Sequence, residues 1–179
     1  MSNSPNDSER FDAPAVFRTT RLACERFTMD HVELLATMDR DEDVQRWLFG
    51  KIYTPEETHA RAERRVGYWT QHGAGDYVVR TAQDGEFIGF AGFFPSPRPN
   101  AVAIGYALFP RFWGNGYGTE LAKALTETAL AFDCSEIVAT VLATNVASRR
   151  VLEKTGFVAV GPGAGDDPGT LVYRYVGRS

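Results

Sequence analysis

The chain has 179 residues, of which 44% are hydrophobic and 23% are charged, as in an ordinary soluble globular protein. No apolar run approaches the roughly 20 residues of a membrane helix, and no heptad or low-complexity pattern is sustained, which excludes membrane, fibrous and disordered classes. The 19 basic and 23 acidic residues give a formal charge of −4, which argues against a nucleic-acid partner because phosphate backbones select basic surfaces.

The N-terminal residues are expected to lie outside the folded domain. Residues 1–15 are rich in polar side chains and offer little to bury, which predicts a flexible tail. Residues 16–179 contain no linker or internal repeat, so they are expected to form one domain. Alternation of apolar and polar side chains within residues 16–27 predicts the first strand.

Two helices are predicted next. Asp30 is expected to cap a short helix, and the acidic stretch 39–43 follows it. The sequence Thr54-Pro55-Glu56-Glu57 supplies an N-cap, a proline at the first helical position and a glutamate three residues after the cap. This combination predicts a second helix that runs to about Gln71.

The remaining elements complete a mixed sheet. YVVRTA, EFIGFAGFF and AVAIGYALF predict three strands in an antiparallel meander. A third helix is predicted from about Gly116 to Phe132, then a central strand EIVATVL buried on both faces. Asn145 is expected to start a fourth helix that Gly156 closes, before the strands FVAV and TLVYRYV. The prediction is an α/β (α+β) chain with a mixed, mostly antiparallel sheet of about seven strands and about four helices.

Cysteine and histidine usage indicates a reduced protein without a metal. Cys24 and Cys134 lie far apart in apolar stretches, with no CxxC pair and no signal peptide. Two buried free thiols are therefore favoured over a disulfide or a reactive thiol, and a cytoplasmic location is expected. The three histidines lack metal-ligand spacing, so no metal is expected.

The most informative segment is LFPRFWGNGYGTE, residues 108–120, in which a strand runs through a glycine-rich turn into a helix. Gly114, Gly116 and Gly118 remove side chains, so backbone N–H groups and the helix N-terminus can converge on an anion. The spacing G-x-G-x-G matches neither the dinucleotide fingerprint nor the nucleotide P-loop. Taken alone, it fits a mere tight turn as well as an anion site.

Three segments together resemble the GNAT superfamily of N-acetyltransferases, within it the branch that contains the ribosomal-protein N-acetyltransferases. They are TTRL (19–22), IGYALFPRFWGNGYGTE (104–120) and NVASRRVLEKTGF (145–157), in that order. The resemblance covers roughly residues 20–175. It implies a single-domain GNAT-like fold whose sheet splays between its fourth and fifth strands, and acetyl-CoA as the cosubstrate.

The resemblance also implies which residues meet acetyl-CoA. The family motif Q/R-x-x-G-x-G/A fits two registers, one starting at Trp113 and one at Arg111, and both place the same glycines at the pyrophosphate. Pantetheine would pair with the backbone of Leu108 and Phe109, and a backbone N–H near Leu108 would stabilise the oxyanion. The implied cofactor-binding residues are Leu108, Phe109, Arg111, Trp113, Gly114, Asn115, Gly116, Tyr117, Gly118, Thr119, Asn145 and Ser148.

The start of the fourth helix has a structural and a functional interpretation. Asn145 is a good N-cap and Ser148 is tolerated in a first helical turn. In the family motif the asparagine contacts pantetheine and the serine lies near the sulfur, which makes Ser148 a candidate general acid for the leaving thiolate. Arg149, Arg150 and Lys154 would either meet the 3′-phosphate or form a solvated face.

The chain departs from the family pattern at the general base. Many relatives carry glutamate immediately before the Ile-Gly-Tyr of the fourth strand, where this chain has Ala103. The base is therefore unknown, and Glu86, Glu120 and Tyr106 are candidates by sequence proximity alone.

The acceptor site is expected between the first two helices, where family members build it. Trp47 and Phe49 are the predicted substrate-binding residues, and the acidic run 39–43 would suit a cationic amine. A solvated acidic loop that a tryptophan anchors to the core is the alternative.

The leading hypothesis is an acetyl-CoA-dependent N-acetyltransferase that acts on a primary amine, of a protein N-terminus or a small molecule, by direct attack. One alternative is an acyl-CoA-binding regulatory module without turnover, which the absent carboxylate at position 103 permits. Another is an unrelated α/β phosphate binder. Dimers are common among relatives, so a homodimer stays open.

Overall fold

The computed structural model describes residues 11–48, 50–96, 98, 100–132, 134–163 and 169–177. These residues form eight strands, five α-helices and two short 3₁₀ turns. The strands are β1 (Val16–Arg18), β2 (Leu22–Arg26), β3 (Asp76–Thr81), β4 (Phe87–Pro95), β5 (Ala101–Leu108), β6 (Glu136–Leu142), β7 (Phe157–Pro162) and β8 (Thr170–Tyr175). The helices are α1 (Val32–Asp39), α2 (Glu42–Gln45), α3 (Pro55–His72), α4 (Tyr117–Ala129) and α5 (Val146–Lys154).

The strands form one mixed sheet in the order β1-β2-β3-β4-β5-β6-β8-β7. Neighbouring strands are antiparallel except β5 and β6, which are parallel and are connected through α4. The predicted meander of β3, β4 and β5 is confirmed. β6 is an interior strand, as its continuous apolar run predicts, although Thr140 is exposed.

Different helices cover the two faces of the sheet. Val78 packs in one core with Leu35 of α1 and Ala62 of α3. The next residue, Val79, packs in a second core with Leu121 of α4. Because successive side chains of a strand point to opposite faces, α1 and α3 lie on one side of the sheet and α4 on the other. The sheet is therefore the middle layer of the domain.

The second predicted helix, α3, is confirmed at both ends. Thr54 and Glu57 form the reciprocal capping box, and Pro55 occupies the first helical position. Gly73 ends the helix in the left-handed conformation with φ 67°. The other predicted helices are also found, and α4 is shorter than predicted, since it ends at Ala129. Asp30 does not cap α1 as expected: it lies inside the 3₁₀ turn Met29–His31, and His31 holds the N-cap position of the helix.

The structure has one strand and one helix more than the sequence predicts. The predicted first strand breaks at Thr19, whose N–H donates to the Leu22 carbonyl oxygen at 2.9 Å. The Leu22 N–H donates in return to Thr19 Oγ1 at 3.1 Å, which folds the segment into the β1–β2 hairpin. The additional helix is α2, where the Asp41 side chain caps the N–H of Val44.

The folded domain begins earlier than predicted. Residues 1–10 of the predicted tail lie outside the described residues. The N–H groups of Phe11 and Ala13 donate to the carbonyl oxygens of His72 and Gly73 at 2.8 and 3.0 Å. The Phe11 ring also stacks on Phe132 with 4.8 Å between centroids. Residues 11–15 therefore belong to the domain, a correction to the boundary at residue 16.

Among the described residues, neither cysteine is joined in a disulfide. Cys24 is buried, and this burial, together with the charge of Glu120, raises the pKa of its thiol to about 12. Cys134 is only half-buried. In the described part of the chain, the helices are too short or too polar to cross a bilayer. The same residues hold no cluster of three or more His, Cys, Asp or Glu side chains that could bind a metal ion.

Candidate functional site

A glycine-rich loop joins β5 to α4. The chain leaves β5 at Leu108 and enters α4 at Tyr117. Gly114 and Gly116 have φ angles of 77° and 80°, a left-handed conformation that residues with a Cβ rarely adopt. Gly118 lies in the first turn of α4, where a Cβ would stand 3.0 Å from the Tyr106 ring. The two left-handed glycines are those of the motif register that starts at Arg111.

Three side chains brace this loop by its carbonyl groups. The indole N–H of Trp113 donates to the Leu108 oxygen at 2.8 Å, and the Asn115 amide donates to the Trp113 oxygen at 3.1 Å. Nη1 of Arg21 donates to the Asn115 oxygen at 2.8 Å. Because a trans peptide directs its C=O and N–H to opposite sides, the N–H group that follows each of these carbonyls points away from the side chain that donates to that carbonyl.

The N-terminus of α4 continues this row of N–H groups. The first helical hydrogen bond runs from the Glu120 N–H to the Gly116 oxygen at 3.1 Å. The N–H groups of residues 116–119 therefore precede the helical ladder and have no partner within it. Together with the helix dipole they favour a bound anion. The loop can hold a ligand that carries phosphate.

β5 and β6 diverge beside this loop. Residues Ala101–Ala103 pair with Glu136–Val138, and among the described residues the ladder between the two strands stops there. β5 continues to Leu108 and β6 to Leu142, so the ends nearest the loop separate. This is the splay expected between the fourth and fifth predicted strands. It leaves an edge of β5 with which an extended ligand can form backbone hydrogen bonds.

Leu108 and Phe109 direct their backbone groups differently. The Phe109 N–H donates to the Ile88 oxygen at 3.0 Å, and its carbonyl accepts the Phe112 N–H at 3.0 Å. Both backbone groups of Phe109 are therefore paired within the chain, and its pairing with pantetheine stays a prediction. Successive N–H groups of a strand point to opposite edges, so the Leu108 N–H points towards the splay. The Leu108 carbonyl is taken by Trp113.

Tyr106 and Ser148 meet across the splay. The Asn145 side chain accepts the N–H of Ser148 at 3.1 Å and caps α5, as its structural interpretation predicts. Oγ of Ser148 lies 3.3 Å from the hydroxyl of Tyr106, a residue of β5 that is 42 positions earlier. The Tyr106 ring also packs on Gly118. One aromatic side chain thus joins β5, α4 and α5 where the strands diverge.

Glu120 is held as a hydrogen-bond acceptor. Its Oε1 accepts the Thr19 hydroxyl at 2.5 Å and the Arg21 N–H at 2.8 Å, and its Oε2 accepts Nε of Arg21 at 2.7 Å. Burial by itself would raise the pKa of this carboxyl. The hydrogen bonds from Thr19 and Arg21 outweigh burial, and the pKa of Glu120 is lowered. A carboxylate in this state is a poor general base.

The other two base candidates are no better suited. Burial raises the pKa of Tyr106, while the hydrogen bond with Ser148 acts in the opposite direction. Tyr106 therefore stays protonated at neutral pH and can donate a hydrogen bond. Glu86 forms an ion pair with Arg111 at 3.0 Å. None of the three candidates therefore offers a basic group ready to accept a proton in place of the glutamate that many relatives carry at the position of Ala103.

Of the two predicted acceptor residues, the structure describes Trp47, which belongs to the helical layer of α1 to α3. Phe49 lies outside the described residues. Trp47 follows α2 and is half-buried, with the Arg46 guanidinium 5.8 Å from its ring centroid. Asp39 is buried, pairs with Arg61 and accepts the Thr58 hydroxyl at 2.8 Å. The first carboxylate of the acidic run therefore holds α1 to α3.

The basic residues of α5 divide into two groups. Arg149 donates to the Tyr173 hydroxyl and to the Ala143 oxygen, both at 3.1 Å, so it has a structural role. Arg150 and Lys154 are exposed, which fits a solvated face. Arg21 is a site residue that the sequence patterns did not indicate, although it lies in the TTRL segment and its partner Glu120 ends the second matching segment.

Comparison with known proteins identifies relatives of the whole domain. Residues 21–158 match the family described as an acetyltransferase (GNAT) domain. The FsC-acetyl coenzyme A-N(2)-transacetylase of Aspergillus fumigatus is 26% identical over 164 residues, which cover 83% of this chain and 67% of that protein.

Two solved structures illustrate the shared fold. An acetyltransferase from Agrobacterium tumefaciens str. C58 is 25% identical with a TM-score of 0.79, and the match covers 96% of this chain and 99% of the other. RimL, described as a ribosomal L7/L12 alpha-N-protein acetyltransferase in complex with coenzyme A, is 22% identical with a TM-score of 0.75. That match covers 89% of this chain and 96% of the other.

Proposed function

This chain belongs to the GNAT family of acetyltransferases, and we propose that it transfers the acetyl group of acetyl-CoA to a primary amine by direct attack on the thioester. The observation that carries the proposal is the splay of β5 and β6 beside the N-terminus of α4. A CoA molecule combines an anionic pyrophosphate with an extended amide chain. The helix terminus suits the first part and the free strand edge suits the second.

The residues of the loop fit the pyrophosphate. The N–H groups of residues 114–119 would bind its oxygens, with Gly114 and Gly116 giving the backbone its left-handed turns. This geometry supports the motif register that starts at Arg111. Pantetheine would follow the free edge of β5 as far as Leu108, which would place the thioester carbonyl beside the Leu108 N–H.

The same residues suggest how the reaction is assisted. The amine nitrogen bonds to the thioester carbonyl carbon, and the carbon–sulfur bond then breaks. The Leu108 N–H would donate to the oxyanion that develops on the carbonyl oxygen. Ser148, held by the α5 cap and by Tyr106, would donate a proton to the leaving thiolate and regain one from solvent, which also takes the proton that the amine nitrogen loses as the amide forms. A thiol with a pKa of about 8.5 needs only modest help.

The pH dependence should report the amine itself. Because the pKa of Tyr106 is raised and that of Glu120 is lowered, neither group takes a proton from an ammonium near neutral pH. We therefore expect kcat/KM for the amine to rise about tenfold per pH unit until the pH reaches the pKa of that amine. For two amines with different pKa values, measured between about pH 6 and about pH 10, the pH profiles of kcat/KM should level off at different pH values. A break at one shared pH would reveal an enzyme base instead.

The acceptor class follows less directly from the site. The Aspergillus relative is named as an N(2)-transacetylase and RimL as an alpha-N-protein acetyltransferase. The name of RimL makes a protein N-terminus the first acceptor class to test, and a small-molecule amine is the class to compare with it.

Amine-dependent release of thiol from acetyl-CoA tests the proposal. The panel contains peptides, polyamines, amino acids and aminoglycosides, and CoA binding is measured on the same sample. Release with one class supports the enzyme and identifies its acceptor. Binding of CoA without release from any class would overturn the proposal in favour of an acyl-CoA-binding regulatory module. Absence of CoA binding would overturn the proposal together with its assignment of the loop to the pyrophosphate.

A further inference from the structure

Arg21 contacts the glycine loop and α4 at the same time. Its Nη1 donates to the Asn115 oxygen at 2.8 Å, and its Nε donates to Glu120 Oε2 at 2.7 Å. Its guanidinium carbon also lies 4.5 Å from the centroid of the Tyr117 ring. These partners stand on both sides of Gly116, the residue at which the loop becomes a helix.

The other end of this contact is fixed in the sheet. Arg21 and Thr19 belong to the turn between β1 and β2, and both donate to Glu120 Oε1. The Glu120 side chain is 16% exposed and the Arg21 side chain 45% exposed, so the pair is shielded on the Glu120 side. The β1–β2 turn therefore holds the start of α4 through a carboxylate 99 residues away.

We propose that Arg21 and Glu120 are positioning residues for CoA: they hold the Asn115–Gly116 peptide so that the N–H groups of the loop converge on the pyrophosphate. The inference rests on the function proposed above. Glycines at 114 and 116 give the free loop many conformations, and ordering them on binding would cost affinity. A loop that is already held by its carbonyls avoids that cost.

The geometry favours positioning over direct contact of Arg21 with phosphate. Nε and Nη1 of Arg21 are used by Glu120 and Asn115, and the Glu120 carboxylate compensates the guanidinium charge. The two roles predict opposite effects of Glu120→Gln. If Arg21 contacted phosphate directly, loss of the carboxylate charge would strengthen that contact and tighten CoA binding. If Arg21 positions the loop, the same loss would loosen the loop and weaken CoA binding.

The test compares the Kd of CoA, measured by isothermal titration calorimetry, in the wild type and four variants. We expect Arg21→Gln and Glu120→Gln each to raise the Kd about tenfold, the factor that corresponds to losing one charge-assisted hydrogen bond. Arg21→Lys keeps the charge but loses the planar guanidinium that donates to Glu120 and Asn115 at the same time, so its Kd should fall between those of the wild type and Arg21→Gln. If Arg21→Gln does not fold, Arg21→Lys takes its place as the test variant.

Lys123→Gln is the matched control, because it removes the same charge from the surface groove that Arg21 also lines. Its Kd should stay near the wild-type value, and the KM of the amine should not change in Arg21→Gln or Glu120→Gln. Tighter CoA binding in Glu120→Gln, an unchanged Kd in Arg21→Gln, or an equal loss in Lys123→Gln would each overturn the inference. Failure of the wild type to bind CoA would overturn the proposed function itself.

Discussion

A Gly116→Val variant is expected to bind CoA at least about 100-fold more weakly than the wild type, a loss of roughly 2.7 kcal/mol. Gly116 has φ 80°, and a β-branched residue is a genuine outlier in that conformation. A Cβ would also stand 3.4 Å from Nη2 of Arg21. The Gly116 oxygen accepts the first hydrogen bond of α4, so backbone movement here displaces the helix terminus. Titration calorimetry with CoA measures the effect.

Gly50→Val is the control for this experiment. Gly50 also has a left-handed φ, 63°, and has open space around it. It follows α2, in the helical layer of α1 to α3. The control should lose stability through the same backbone strain but retain CoA affinity. Affinity retained in Gly116→Val would show that the loop does not bind the pyrophosphate, and equal losses in both variants would show a general effect of strain.

Local signals account for the elements that the sequence predicts well. The capping box at Thr54 and the glycine at 73 define α3 without any knowledge of its neighbours. The same holds for Asn145 at the start of α5. The glycine loop could also be located, because a strand, alternate glycines and a helix follow one another within 13 residues, 108–120. Each of these features depends on residues that are close in the chain.

The contacts that make the loop a site depend on residues far apart in the chain. Arg21 reaches Glu120 over 99 residues, and Tyr106 reaches Ser148 over 42 residues. Such pairs form only after the strand order and the register of the sheet are set, and neither is encoded in local propensity. The splay illustrates the same limit: it was expected from the family resemblance, and no spacing of residues in β5 or β6 predicts it.

An Asp39→Asn variant is expected to lose about 3–5 kcal/mol of unfolding free energy. The Asp39 side chain is 1% exposed and that of its partner Arg61 9% exposed. Asparagine can still accept the Thr58 hydroxyl but removes the carboxylate charge with which Arg61 forms its buried ion pair, while the electrostatic interaction of Arg61 with Asp76 remains. The Tyr53 ring, 4.0 Å from the guanidinium carbon, compensates only in part. In urea at pH 7 the midpoint should fall by roughly 2 M with an unchanged slope.

Two further experiments distinguish the contribution of the Asp39–Arg61 ion pair to stability from that of the other carboxylates in residues 39–43. Asp43→Asn removes the same charge from a pair with Arg46 in which both side chains are more than half exposed, so it should cost less than about 1 kcal/mol. A double change, Asp39→Leu with Arg61→Met, should recover most of the lost stability because apolar side chains then replace both members of the buried ion pair. If Asp39→Asn proved as mild as Asp43→Asn, the Asp39 charge would not be needed by the fold and would be free to attract a cationic amine. The burial of the pair argues against that role, because the positive charge of Arg61 offsets the attraction that the Asp39 carboxylate would exert on a cationic amine.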